Sequence, residues 1–474
     1  MARIFHAAPI ALLASLTLVV GCGGNTAEQT QGLAASNGGA GGAAGNGEGT
    51  AGDTGNAGDT GTAGDTGAAG DTGTAGDGGA AGAAGESGAG GSAAGTGGAS
   101  GGAAGDAGTA GAAGTSFVSA PHPAFPTVPN PDKGPVISAV QIVTITFAGY
   151  TYEKQIQDFA DFVPGSQWLS IVGKDYGIGN GASFKKVSLT DTAPATISDQ
   201  QIAKYIATKI GDGTLPKPSD APGGASQMLY MIYYPSTTKI SLPSGPGQVA
   251  QSCYDFGGYH NSTVQNGMKF AYAVLPTCKY VEVGNTAFDS LTFSASHELI
   301  EALTDPYPES TSSYVISDYN SPWAGTGGEV GDLCLDQDYV ENGYFLQRSW
   351  SNAAAMASQD PCIPAPTDEV MYDAYPDMSA MDTLSMKAGQ KTTVTFTGWS
   401  SAPTSDWHLD VFPFQGNFNP GASFDKSTLN NGQTATLTLS IPANTPSGSY
   451  TSLIVISGHS MTDYHYWPLA VYIP

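Results

Sequence analysis

The residues best suited to chemistry begin at Ser296, where the chain reads Ser-His-Glu-Leu-Ile-Glu-Ala-Leu-Thr-Asp-Pro as far as Pro306. On a helix, His297 and Glu301 stand four apart and share a face, so both can reach one metal ion. Glu298 lies beside them, placed to act as general base on a water molecule. A third ligand must come from elsewhere. The stretch Gly328-Glu329-Val330-Gly331-Asp332-Leu333-Cys334 supplies Glu329, with Asp332 following it. His297, Glu301 and Glu329 are therefore the candidate metal ligands, and three protein ligands leave a fourth position for water. One histidine and two carboxylates neutralise the charge of the ion, so calcium and manganese suit the set as well as zinc. The competing reading is an ordinary amphipathic helix with a capping aspartate and no metal.

His260 is expected in a tight Gly-Gly-Tyr-His loop near Cys253. It is a candidate catalytic residue, as a metal ligand or as a donor to a developing oxyanion. Its alternative is a structural histidine bonded to backbone. A serine hydrolase finds no support, because no Gly-x-Ser-x-Gly elbow precedes a helix.

The elements that must hold these residues follow from patterning. Leu291, Leu299 and Leu303 predict a helix packed on a core, and Pro306 forces Asp305 out of it. Ile137 to Phe147 reads as a strand and Tyr152 to Phe162 as a helix. Ser198 and Gln201 form a capping box for a helix whose Ile202, Ile206 and Ile210 line one face. Met228 to Tyr234 is an uninterrupted apolar and aromatic run, the mark of a buried strand. Alternating helices and strands predict an α/β or α+β domain over 117–365. From 366 to 474 period-two alternation takes over, with Val394 and Phe396 on one face and Ala435, Leu437, Leu439 and Ile441 on another. That pattern predicts an all-β, immunoglobulin-like sandwich, serving as a spacer or a binding accessory.

The N-terminal quarter differs. Met1 to Arg3 is a short basic start, and Ala7 to Val20 is an apolar run of signal-peptide length. It ends in Val19-Val20-Gly21-Cys22, which resembles a bacterial lipobox and implies acylation of Cys22 after removal of residues 1–21. From 22 to 116 the chain is nearly all Gly, Ala, Thr, Ser and Asp, with Ala-Gly-Asp-Thr-Gly recurring at Asp53, Asp59, Asp65 and Asp71. It has almost nothing to bury, so a disordered tether is predicted, and a calcium-binding repeat lacks the apolar residue each turn would need. The net charge of −25 argues against nucleic-acid binding. The expected location is the cell envelope, lipid-anchored, at the outer membrane or cell surface, as a monomer. Of five cysteines, Cys22 goes to lipid. The other four allow three pairings, of which Cys253–Cys278 and Cys334–Cys362 are preferred because both close short loops.

The His-Glu-x-x-Glu stretch is similar to the His-Glu-x-x-His zinc helix, with glutamate in the place of the second histidine. Glutamate-type zincins also take a third ligand from a later glutamate followed by an aspartate, which places Asp332 and Asp305 behind the ligands; their spacing is longer than the Glu-x-x-Asp found here. Beyond that helix, Trp168…Tyr176-Gly177-Ile178-Gly179, Cys253…Gly258-Tyr259-His260-Asn261-Ser262, Ala271-Tyr272-Ala273-Val274 and Glu329…Asp332…Cys334 resemble the phosphate-induced, EXORDIUM-like family and its bacterial relatives over roughly Val136 to Cys362. That resemblance implies a zincin-like fold. Two functions follow. One is a surface metallohydrolase, a zincin-like peptidase, acting on a peptide or cell-wall polymer. The other is a non-catalytic protein that binds cell-wall or matrix polymer, as plant members act in cell-wall growth. The enzyme reading requires the ligands to converge in an open cleft.

Overall fold

A computed structural model describes residues 116–474, apart from 244–248, 282, 319 and 461. The expected signal peptide, the lipidation expected at Cys22 and the expected tether up to residue 115 lie outside the described residues. Among the described residues no helix is long and apolar enough to cross a membrane. The described residues are mostly β with few helices.

The first part is built on a five-stranded sheet in the order Ala182–Ser188, Gln141–Thr146, Met228–Tyr234, Met268–Pro276, Tyr259–Gln265. The first four strands run parallel to their neighbours, and only the edge strand Tyr259–Gln265 is antiparallel. Parallel strands need both faces covered. Accordingly Gln141–Thr146 and Met228–Tyr234 are buried along their whole length. On one face, Val143, Ile145, Tyr230 and Ile232 pack with Ile202, Ile206 and Ile210 of the helix Asp199–Gly211. Its capping box forms between Ser198 and Gln201 as predicted. On the other face, Ile142, Leu229, Met231 and Tyr233 pack with Ile156 and Phe159 of Glu153–Phe162 and with Leu291, Leu299 and Leu303 of Ala287–Thr304. The first strand starts later than its apolar pattern predicts. The Ile137 N–H leaves the sheet to donate to the Leu303 carbonyl at 2.9 Å, so this end of the run braces a helix instead.

The C-terminal part forms two facing sheets, a β-rich arrangement compatible with a sandwich. In one, Lys391–Ser400 pairs antiparallel with Thr434–Ser440, setting Val394 against Leu437 and Phe396 against Ala435. The two apolar stripes read separately from sequence thus form one inner face. Leu453, Val455, Leu469 and Val471 meet it from the second sheet.

The apolar core does not stop at the junction of the two parts. Trp399, Ile454, Tyr466 and Trp467 belong to the same buried cluster as Phe125, Trp323 and Trp350. The Trp323 ring lies 5.1 Å from that of Trp350 and 5.5 Å from that of Trp467. Both preferred disulfides form, Cys253–Cys278 with Cα atoms 5.3 Å apart and Cys334–Cys362 with 5.5 Å.

Candidate metal centre

Three elements bring the site together, and each has a local cause. The helix Ala287–Thr304 starts at a capping box, in which Thr286 Oγ1 accepts from the Asp289 N–H and the Asp289 carboxylate accepts from the Thr286 N–H. It stops at Asp305, whose φ of −138° and ψ of 71° are non-helical, as the following proline demands. The sheet covers one side of this helix and the strand Tyr344–Gln347 another, so every side chain from Ser290 to Thr304 is buried. His297, Glu298 and Glu301 are carried into the interior with it. The second element is the edge strand. His260 lies on Tyr259–Gln265, paired with Ala273, and not in a loop: the tight turns end at Gly258, and the ladder begins one residue before the histidine. The third is the 327–335 loop, whose Gly327 and Gly328 adopt φ of +120° and +85°, where glycine alone is comfortable. A side chain on Gly327 would also strike the Asp332 carboxylate.

The side chains converge on Glu301. Its Oε2 lies 3.0 Å from His297 Nε2 and 3.7 Å from His260 Nδ1. His260 Nδ1 is 3.6 Å from Glu298 Oε2, and its Nε2 is 3.5 Å from Glu329 Oε1. Asp332 Oδ1 lies 3.6 Å from His297 Nε2, and the Asp332 N–H donates to Glu301 Oε1 at 3.1 Å. Among the described residues three sets of ligand atoms lie close enough to hold an ion, two of them here, His260 with Glu301 and Glu329, and His297 with Glu298 and Glu301, and one elsewhere, Asp360 with Glu369 and His465. His260 is thus the bridge between the helix and Glu329. Asp305 stands apart, accepting from Ser312 Oγ at 2.8 Å and from the Ser313 N–H at 3.0 Å.

The electrostatics suit a cation. Glu298, Glu301, Glu329 and Asp332 are all buried, Glu298 to 1 % exposure and Glu329 to 8 %. Both nitrogens of His260, both carboxylate oxygens of Glu298, Glu329 Oε1 and Asp332 Oδ1 are buried without a hydrogen-bond partner. Buried polar atoms are ordinarily satisfied, and each orphan costs about 1–3 kcal/mol or more when charged. Burial above all, with the charge of Glu301 adding to it, raises Glu329 and Asp332 well above the usual carboxylate range. Burial raises Glu298 as well. Burial by itself would depress His260, but Glu329, Glu298 and Glu301 outweigh it and push the imidazole up to about 10. A divalent ion would satisfy the orphaned atoms together, so these buried histidine and glutamate groups can hold a metal.

One residue with no sequence signal organises the site. Gln347 Nε2 donates to the Gly331 carbonyl at 2.6 Å and to the Cys334 carbonyl at 3.3 Å, which turns its Oε1 toward His297 Nδ1 at 2.9 Å. His297 must then donate from Nδ1, leaving Nε2 to face Glu301 and Asp332. Two glycines permit the crowding. A Cβ on Gly331 would sit 2.8 Å from both Glu301 Oε1 and His297 Nδ1, and one on Gly258 would sit 2.8 Å from Glu298 Oε1.

No family model matches the chain, and no curated protein matches it. Among solved structures, domains 4 and 5 of the S-layer protein SbsC are 16% identical over 22% of this chain and 53% of theirs, at a TM-score of 0.17, so the chain spans about half of that fragment. A nucleoside hydrolase-related hypothetical protein from Saccharophagus degradans is 9% identical over 71% of this chain and 100% of its own, at a TM-score of 0.26. OgpA from Akkermansia muciniphila is 9% identical over 71% and 93%, at 0.21. Likenesses this slight carry no argument about fold or function.

Proposed function

We propose that this chain is a cell-surface lipoprotein whose first domain is a zincin-like, metal-dependent hydrolase acting on peptides. The observation that carries this reading is Glu298: a buried carboxylate beside the candidate ligands, with neither oxygen satisfied. A structural zinc site closes around four ligands and has no use for such a group. Three of His260, His297, Glu301 and Glu329 would hold the ion and leave a fourth position for water, and the imidazoles among them favour zinc over calcium or manganese. A bound zinc would supply Lewis acidity toward a carbonyl oxygen. Glu298, raised by burial, takes up and returns a proton, the task of a general base and acid. Gln347 keeps the His297 ring in one tautomer throughout.

The test is metal content and peptide cleavage of the purified chain. Glu298→Gln should keep the metal and abolish cleavage, whereas His297→Ala should lose both. Metal retained by His297→Ala would remove the site. The burial of every ligand, His297 to 1 % exposure and Glu301 to 3 %, favours a second reading, a non-catalytic EXORDIUM-like binding protein, since a peptidase needs its ligands to line an open cleft. A wild-type chain that holds metal yet cleaves nothing in a peptide library would decide for it. The membrane anchor rests on the apolar run ending at Cys22. Cys22→Ser should abolish labelling by a radioactive fatty acid, and undiminished labelling rejects the anchor.

A further inference from the structure

We infer that the C-terminal sandwich is a working part of the metal centre, and that Tyr466 is its positioning residue. This rests on the metal-centre reading above. The turn Pro322–Thr326, which leads into the loop of Glu329 and Asp332, lies on two strands of the sandwich, Tyr450–Gly458 and Tyr464–Tyr472. Upstream of Glu329, the turn Pro322–Thr326 approaches so closely that a Cβ on Gly325 would sit 2.5 Å from the Tyr450 hydroxyl and 2.8 Å from Ser452 Oγ. Downstream, the buried Tyr466 hydroxyl donates to the Asp332 carbonyl at 3.2 Å and accepts from the Leu335 N–H at 3.3 Å. The Tyr464 hydroxyl donates to the Leu335 carbonyl at 3.4 Å.

The Asp332 peptide is therefore held at both ends. Its carbonyl is fixed by Tyr466, and its own N–H donates to Glu301 Oε1. The Asp332 carboxylate meanwhile faces His297 Nε2. Gln347 and the Cys334–Cys362 disulfide secure the same turn from the first domain, and Tyr464 and Tyr466 secure it from the second. Groups behind metal ligands fix ligand orientation, and their loss typically costs ten- to a hundredfold in affinity. The module read from sequence as a spacer or accessory is thus the floor under one wall of the site.

The experiment is zinc titration of the full chain against a chromophoric chelator, with the melting temperature of the metal-free protein measured alongside. Tyr466→Phe removes one hydroxyl and keeps the ring in the aromatic cluster. Its affinity for zinc should fall about tenfold. Tyr472→Phe, on the same strand but exposed at 38%, should bind as the wild type does. A purely structural role for Tyr466 would lower the metal-free melting temperature and leave the affinity unchanged, and that result overturns the inference. Should Tyr466→Phe fail to fold, Tyr464→Phe gives the second reading of the same turn: weakened zinc binding supports the inference and wild-type binding overturns it. A wild-type chain that takes up no zinc overturns the metal-centre reading and this inference with it, whereas wild-type affinity in both variants overturns this inference alone.

Discussion

At the scale of the residue, the centre depends on side chains whose own partners are already assigned. Gln347 shows this most directly. Its amide nitrogen is committed to two carbonyls, so its oxygen has no choice but to face His297 Nδ1. Gln347→Ala removes that acceptor and should weaken zinc binding by ten- to a hundredfold, with the bond that the Gln347 N–H donates to Ser296 Oγ retained. Gln347→Glu keeps an acceptor for His297 but loses both donated bonds, and should fall between the two. Metal titration of the three proteins checks the order, and equal affinities would show that His297 is oriented by something else.

At the scale of the element, the site is a convergence of one helix, one edge strand and one loop, and the disulfides brace two of the three. Cys253 precedes the hairpin that carries His260, and Cys278 follows it. Cys334 closes the turn that carries Asp332, and its bond to Cys362 spans 28 residues. A crosslink across a loop of that length is worth about 3.6 kcal/mol, chiefly by restricting the unfolded chain. The double variant Cys334→Ser/Cys362→Ser should lose about that much in urea denaturation with chelator present. A loss under about 0.5 kcal/mol, the range of ordinary surface changes, would show that packing alone holds the turn.

At the scale of the whole molecule, the shared aromatic core predicts that the two parts unfold together, and a buried acid beside it predicts how pH acts. Asp373 lies in the strand Tyr372–Pro376 and accepts from the Ala374 N–H at 2.7 Å. Burial nevertheless raises it to about 7. An unfolded aspartate titrates near about 4, so between these values the folded state binds the extra proton. The stabilisation from that proton is complete below about pH 4 and is lost as pH rises toward 7, at up to about 1.4 kcal/mol per unit. Asp373→Asn cannot lose it, so the variant should gain on the wild type steadily from pH 4 to 7. Denaturation of metal-free protein at both ends of that range measures the gain; parallel curves would place Asp373 in water.

Local order was legible because local rules set it. The capping box at Ser198, the proline stop after Asp305, the fully apolar strand Met228–Tyr234 and the i, i+4 pair His297 and Glu301 all follow from neighbours a few residues away. The period-two stripes announced the β-rich C-terminal part for the same reason, and short loops favoured the two disulfide pairings that form. What the tertiary structure alone decided is separated in sequence and joined only by packing. His260 sits on a strand because Ala273 pairs with it, and it bridges to Glu329 because the edge strand passes over the helix. Gln347, fifty residues beyond His297, leaves no mark in the spacing of the motif, and Tyr466 reaches Asp332 across 134 residues. Burial, too, belongs to the assembled molecule. Pattern reveals which face of a helix is apolar, but only neighbours on every side could enclose the polar face of this one.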